Sequence, residues 1–175
     1  MAVESRMAVA VNFLLFQAGW FACVLGAARG FPWQGALVAL LIAGFIVFRS
    51  RRPREELALV AAAALGGLVF DSALAQSGWV DFEGAVPTAS LAPVWMVVLW
   101  ALFATTLNVS LRWLRDWPAL GVLFGAVGGP VAYYAGERLG ALRFADPMLG
   151  LTAVAVGWAL ATPLLFALAR RLEAK

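Results

Sequence analysis

Six apolar stretches divide the chain, at roughly residues 8–28, 33–48, 57–76, 91–111, 118–139 and 148–169. A hydrocarbon layer about 30 Å thick takes about 20 helical residues to cross. The pattern therefore predicts an all-α polytopic membrane bundle of six transmembrane helices, forming a single integral membrane domain over residues 1–175. Polar or Gly/Pro punctuation falls between the stretches, at Arg29-Gly30-Phe31-Pro32, Arg51-Arg52-Pro53, Gln76 to Ser90, Asp116-Trp117-Pro118 and Asp146-Pro147. Pro32, Pro118 and Pro147 stand where a first helical turn tolerates a missing N–H. The second stretch is short, with about 16 apolar residues against the usual length of a span. The first resembles a secretory signal in its Arg6, its apolar run and Gly26-Ala27-Ala28, but Asn12, Gln17 and Trp20 interrupt the run, and a retained helix is expected.

Basic residues orient the spans. Ten of the thirteen, namely Arg6, the four arginines from Arg49 to Arg54, Arg112, Arg115, Arg170, Arg171 and Lys175, fall on one side of a six-span layout, and only Arg29, Arg138 and Arg143 fall on the other. The positive-inside rule then selects N-in, C-in. Composition agrees: 63% of residues are hydrophobic, 13% are charged, and mean hydropathy is +0.88. The chain has one Cys and no His. That excludes disulfide frameworks, His or thiolate metal sites and Ser-His or Cys-His nucleophiles, and no metal or cofactor is expected. The pI near 9.8 follows from topology, and no nucleic-acid partner is implied.

Polar side chains within apolar spans are costly and mark where function should be sought. Asp71 lies deep in the third span, with Ser72 beside it and Gln76 further on. An ion pair with Arg29 or Arg138 is one expectation for it. A role as proton carrier, general acid/base or headgroup ligand is the other. Glu137 and Arg138 close the fifth span, with Tyr133 and Glu137 on one helix face; if Asp71 and Glu137 converged they would form a paired-carboxylate catalytic site. A second cluster is expected in the other leaflet. Phe13, Phe16, Gln17 and Trp20 recur at helical spacing, Asn12 adds an amide, and Thr105, Asn108 and Arg112 share a stripe of the fourth span. Such an aromatic stripe either lines a lipid-chain groove or packs helices together through an amide hydrogen bond. Arg112 and Arg115 are expected to snorkel or to bind lipid phosphate.

In the fifth span Gly121, Gly125, Gly129, Ala132, Gly136 and Gly140 recur at about one-turn spacing, which predicts close approach of a neighbouring helix. Pro130 predicts either a harmless kink or a discontinuous helix beside a cavity. Arg29-Gly30-Phe31-Pro32-Trp33-Gln34-Gly35 and Arg115-Asp116-Trp117-Pro118-Ala119-Leu120-Gly121 share the pattern Arg-x-aromatic-Pro-x-x-Gly. They suggest weak inverted halves, about residues 1–86 and 87–175.

Taken together, Asn12-Phe13-x-x-Phe16-Gln17-x-x-Trp20, Asp71, Ala92-Pro93-x-Trp95-Met96 running to Leu99-Trp100, Phe103-Ala104-Thr105-Thr106-Leu107-Asn108-x-Ser110 and Gly128-Gly129-Pro130-x-x-Tyr133-Tyr134-Ala135-Gly136 resemble a family of small bacterial inner-membrane proteins catalogued as a domain of unknown function. The resemblance implies a multi-pass location in a bacterial inner (cytoplasmic) membrane and, by association with fatty-acid modification, a connection to lipid. It supplies no catalytic residue, so Asp71 and Glu137 stand as catalytic candidates on their chemistry alone. The function expected is binding or handling of a lipid or other hydrophobic substrate in an interhelical groove. Candidate contacts are Asn12, Gln17, Trp20, Asp71, Gln76, Asn108, Arg112, Tyr133, Tyr134, Glu137 and Arg138. Alternatives are a metal-independent lipid-modifying enzyme, a small proton-coupled transporter and an accessory subunit. The partners expected are membrane lipid and either a membrane protein or a second copy of the chain.

Overall fold

A computed structural model describes residues 6–84 and 90–174; residues 1–5, residues 85–89 of the predicted outer loop and Lys175 lie outside them. The chain runs α1 (Arg6–Ala28), α2 (Pro32–Arg49), α3 (Pro53–Gln76), β1 (Val80–Phe82), α4 (Val94–Ala104), a 3-10 turn (Arg112–Asp116), α5 (Pro118–Arg138), β2 (Leu142–Phe144) and α6 (Pro147–Glu173). Six α-helices form an all-α bundle, and five of them are long and apolar enough to cross a membrane. Prolines open α2, α3, α5 and α6 at their first turns. Large apolar side chains such as Leu37, Leu41, Phe45 and Phe48 on α2, and Leu65 and Val69 on α3, face outward. An outer surface of that kind suits hydrocarbon rather than water.

The fourth apolar stretch is not the continuous span expected of it. α4 has 11 residues, about 16 Å of helix, or half the hydrocarbon thickness. Its residues Trp95, Met96 and Val98–Ala104 are all buried, because an all-round apolar helix has no face for solvent and sits at the centre, against α1, α2 and α3. Past Ala104 the backbone bonds run mostly from residue i to i−3, as in Thr106 N to Phe103 O and Leu107 N to Ala104 O. Two adjacent threonines account for part of the change. Thr105 Oγ1 donates to Leu102 O at 2.7 Å and Thr106 Oγ1 to Phe103 O at 2.6 Å, offering those carbonyls a side-chain partner.

The segment from Ala92 to Asn108 nevertheless runs alongside most of α3. Ala92 N donates to Ser72 Oγ near the close of α3, and Asn108 Nδ2 donates to Glu56 Oε2 near its start. Those partners are 16 residues apart on α3, about 24 Å of helix. Non-helical backbone at this depth is tolerated when enclosed by protein. Here Asn12 of α1, 5% exposed, reaches across it: Nδ2 donates to Thr105 O at 3.2 Å, and Oδ1 accepts from Ser110 N at 3.3 Å.

α5, by contrast, is a continuous helix across Pro130. The discontinuity considered for the fifth span lies in the fourth. The small-residue stripe does bring α5 close to α6: a Cβ on Gly125 would lie 2.6 Å from Thr162 Oγ1, and one on Gly129 would lie 2.5 Å from Trp158 Cγ. At one end of the bundle β1 and β2 pair antiparallel, with Asp81 opposite Arg143 in a 2.7 Å ion pair.

Candidate functional site

A cavity of about 410 Å³ lies between α1, α4 and α5, with α6 contributing Trp158 to its wall. α1 and α2 pack along their lengths, as do α5 and α6, but α1 and α5 are not similarly packed, which leaves the gap. Phe13, Phe124 and Val131, which line it, are also exposed at the bundle surface, so the cavity is a groove open to the side. Its α1 wall is the aromatic stripe of Phe13, Phe16, Gln17 and Trp20. On the α5 wall, Gly128, Gly129, Ala132 and Gly136 leave room where larger residues would fill it.

Behind the groove Asp71 is fully buried. Its Oδ2 accepts from Trp100 Nε1 at 2.7 Å and its Oδ1 from Tyr133 Oη at 2.5 Å. The expected partners Arg29 and Arg138 are not used. Both basic residues belong to helix ends, whereas Asp71 faces the centre, where an indole and a phenol can donate without bringing a second charge into a dry interior. Trp100 and Tyr133 thus form groove wall on one side and a hydrogen-bonded shell around a carboxyl on the other. Trp100 rests on Gly67, one turn before Asp71, where a Cβ would come 2.6 Å from Trp100 Cδ2. It also stacks on Trp158, with ring centroids 4.3 Å apart and planes 18° apart.

Two polar atoms of residues on the groove wall are enclosed by protein: Ser110 Oγ has no hydrogen-bond partner among the described residues, and the Trp158 indole N–H approaches the Tyr133 hydroxyl.

The remaining candidates disperse. Glu137 Oε1 accepts from Phe144 N at 2.9 Å, tying α5 to β2 rather than pairing with Asp71. Gln76 Nε2 donates to Ser90 O. Tyr134 and Arg138 are exposed. Asn12 clamps the irregular segment after α4, and Asn108 and Arg112 belong to a separate polar cavity of about 730 Å³ at the opposite end from β1 and β2, lined also by Arg49, Arg52, Glu56 and Glu173. There Arg115 Nη1 donates to Asn108 Oδ1 at 2.9 Å and its Nη2 meets Glu173 Oε2 at 2.8 Å. Arg112 pairs with Glu173 Oε1 at 2.5 Å, Arg52 donates to Glu173 O, and Arg170 donates to Arg115 O. Arg115 is 5% exposed, so it is an internal tie rather than a snorkelling side chain. The single stripe of Thr105, Asn108 and Arg112 dissolves because that segment is not α-helical.

The sequence did not mark Trp158, Glu56 or Glu173 as site residues, and Trp100 figured only among the residues that carry the family resemblance. Tryptophan favours membrane interfaces, so two tryptophans near mid-span were a signal of special placement. Glu56 and Glu173 carried none, since acids at helix ends are ordinary. No curated protein and no solved structure matches the chain. One family model, described as "Protein of unknown function (DUF2878)", matches residues 9–164, and with that match spanning nearly every element of the bundle, the chain belongs to the DUF2878 family.

Proposed function

We propose that this membrane protein holds the chain of a lipid or similar hydrophobic molecule in the groove between α1, α4 and α5. The groove itself carries the reading: an aromatic-lined cavity of about 410 Å³, opening sideways through Phe13, Phe124 and Val131 among helices long enough to span a bilayer. At that level the available occupants are lipid chains. The basic residues of the polar end orient the bundle with this end and both termini in the cytoplasm, in keeping with a bacterial inner membrane. Asp71 then acts by holding Trp100 and Tyr133 in the wall. With Glu137 engaged by β2, a paired-carboxylate reaction has less support than binding.

The test uses the protein in nanodiscs containing lipid with brominated acyl chains, which quench nearby tryptophans. Quenching of the groove tryptophans should fall when the groove is filled by Gly128→Leu. Gly128 suits this because a Cβ there meets only Phe124, at 3.9 Å, so the change spares the α5–α6 contact. Retention of a specific lipid by wild type and its loss from Gly128→Leu, read by mass spectrometry, would support the reading. Bulk lipid alone in both samples would refute it and favour transport of a soluble solute or an accessory role.

A further inference from the structure

The polar cavity of about 730 Å³ at the opposite end from β1 and β2 shares no lining residue with the groove and carries its own chemistry. Four arginines and three glutamates line it, a surplus of one positive charge. Two of the acids are engaged. Glu173 holds Arg112 through one carboxylate oxygen and Arg115 through the other, its backbone carbonyl takes Arg52, and Glu56 Oε2 accepts from Asn108. Arg49 and Arg51 remain: both are exposed, both line the cavity, and neither guanidinium makes a hydrogen bond or ion pair with another described residue. Glu55 is the acid left over, and two free guanidiniums outweigh it. Another part of the wall is apolar. Met7, Val11 and Phe45 line it and are exposed at the bundle surface, so the cavity opens toward hydrocarbon. Phe45 lies one turn before Arg49 on α2, about 6 Å along the axis, which places guanidinium and apolar wall in succession.

We propose that this cavity binds one anionic phospholipid, with the phosphate held by Arg49 and Arg51 and the acyl chains leaving past Val11 and Phe45. A guanidinium fork matches phosphate oxygens in geometry and charge. A headgroup with one net negative charge balances the surplus on the wall, and its chains cover the apolar side, which a free phosphate ester would leave bare. The expectation that Arg112 and Arg115 bind lipid phosphate thereby moves to neighbouring arginines, because Glu173 already occupies both. The site is independent of the groove, so either can fail without the other.

The experiment is native mass spectrometry on the full chain released from nanodiscs that contain phosphatidylglycerol and phosphatidylcholine with identical acyl chains in equal amounts. Wild type should retain one phosphatidylglycerol in about tenfold preference to phosphatidylcholine. Arg49→Gln and Arg51→Gln should each lower that preference about fivefold, the factor for one arginine at an anionic headgroup. Arg54→Gln removes the same charge from an exposed neighbour outside the cavity. It should lower the preference by less than about twofold, since solvent and salt screen a charge that does not touch the phosphate. Gly128→Leu, which fills the groove, should leave the preference unchanged, and glycerol phosphate at equal concentration should not displace the lipid. Equal retention of both lipids by wild type would overturn the inference. So would a loss in Arg54→Gln that matched the loss in Arg49→Gln, the mark of a diffuse surface charge. Displacement by glycerol phosphate would assign the arginines to a soluble phosphate ester and overturn the lipid occupant.

Discussion

Replacing Asn12 by Leu removes the amide that bridges the irregular segment after α4 while keeping a side chain with the same branching, though a larger one and a better helix former. Two groups lose their partners: the carbonyl of Thr105 and the N–H of Ser110. Unpaired buried polar groups cost about 1–3 kcal/mol each, which sets a ceiling of about 6 kcal/mol for the pair. Interhelical hydrogen bonds measured within membranes are weaker, averaging about 0.6 and reaching about 1.7 kcal/mol, because the disengaged segments find other partners in the bilayer. That reference applies here, since residues 105–111 can regain their own backbone bonds by winding into α-helix. The two contacts, at 3.2 and 3.3 Å, are also long. The expected loss is therefore about 1–3 kcal/mol, measured by reversible unfolding in mixed detergent. Amide hydrogen exchange at Ser110 should accelerate at the same time, or reveal new i→i−4 protection if the segment rewinds. Rewinding would also misplace Asn108 and Arg115, which meet Glu56 and Glu173 from a turn and a 3-10 helix rather than from an α-helix. Unfolding within about 0.3 kcal/mol of wild type, well below even one average membrane hydrogen bond, together with unchanged exchange at Ser110, would refute the clamp.

Neighbouring glycines on α3 should behave oppositely. Gly67→Ala pushes into the Trp100 indole and should cost about 1–3 kcal/mol as overpacking, with a shift in tryptophan fluorescence, while Gly66→Ala meets nothing within 4 Å and should be neutral or slightly stabilising. In a double-mutant cycle, Asp71→Ala and Tyr133→Phe should couple by about 0.6–1.7 kcal/mol; additive effects in detergent unfolding would show that their 2.5 Å contact contributes nothing. Arg115→Lys cannot bridge Asn108 and Glu173 with one fork, and should destabilise by about 1–3 kcal/mol. Glu173's partial exposure keeps that below the cost of breaking a fully buried pair. Because Arg115 is buried, the loss should change little between low and high salt, and a strong salt dependence would argue against an enclosed tie.

Hydropathy by itself determined the helices that bury their own backbone bonds in hydrocarbon. Five of the six expected spans are long helices whose ends fall close to the Pro, Gly and charged punctuation, because those residues act locally on backbone geometry. The aromatic stripe of α1 and the glycine stripe of α5 were legible for the same reason: helical periodicity puts them on one face before any neighbour is known. Beyond one helix that reasoning stops. Past Ala104 the backbone is held by Asn12, ninety-three residues away, as well as by its own threonines, and no local signal in Thr105-Thr106 fixes that distant contact. Asp71 was legible as a buried acid, but its partners were not, because three helices had to converge before Trp100 and Tyr133 could reach it. Asn108 and Arg112 shared a stripe only on an unbroken helix, and tertiary packing denied them that helix. The groove exists because α1–α2 and α5–α6 form two tight pairs with unequal spacing between them. That spacing is set by side-chain volumes meeting across helices, and only the assembled bundle decides it.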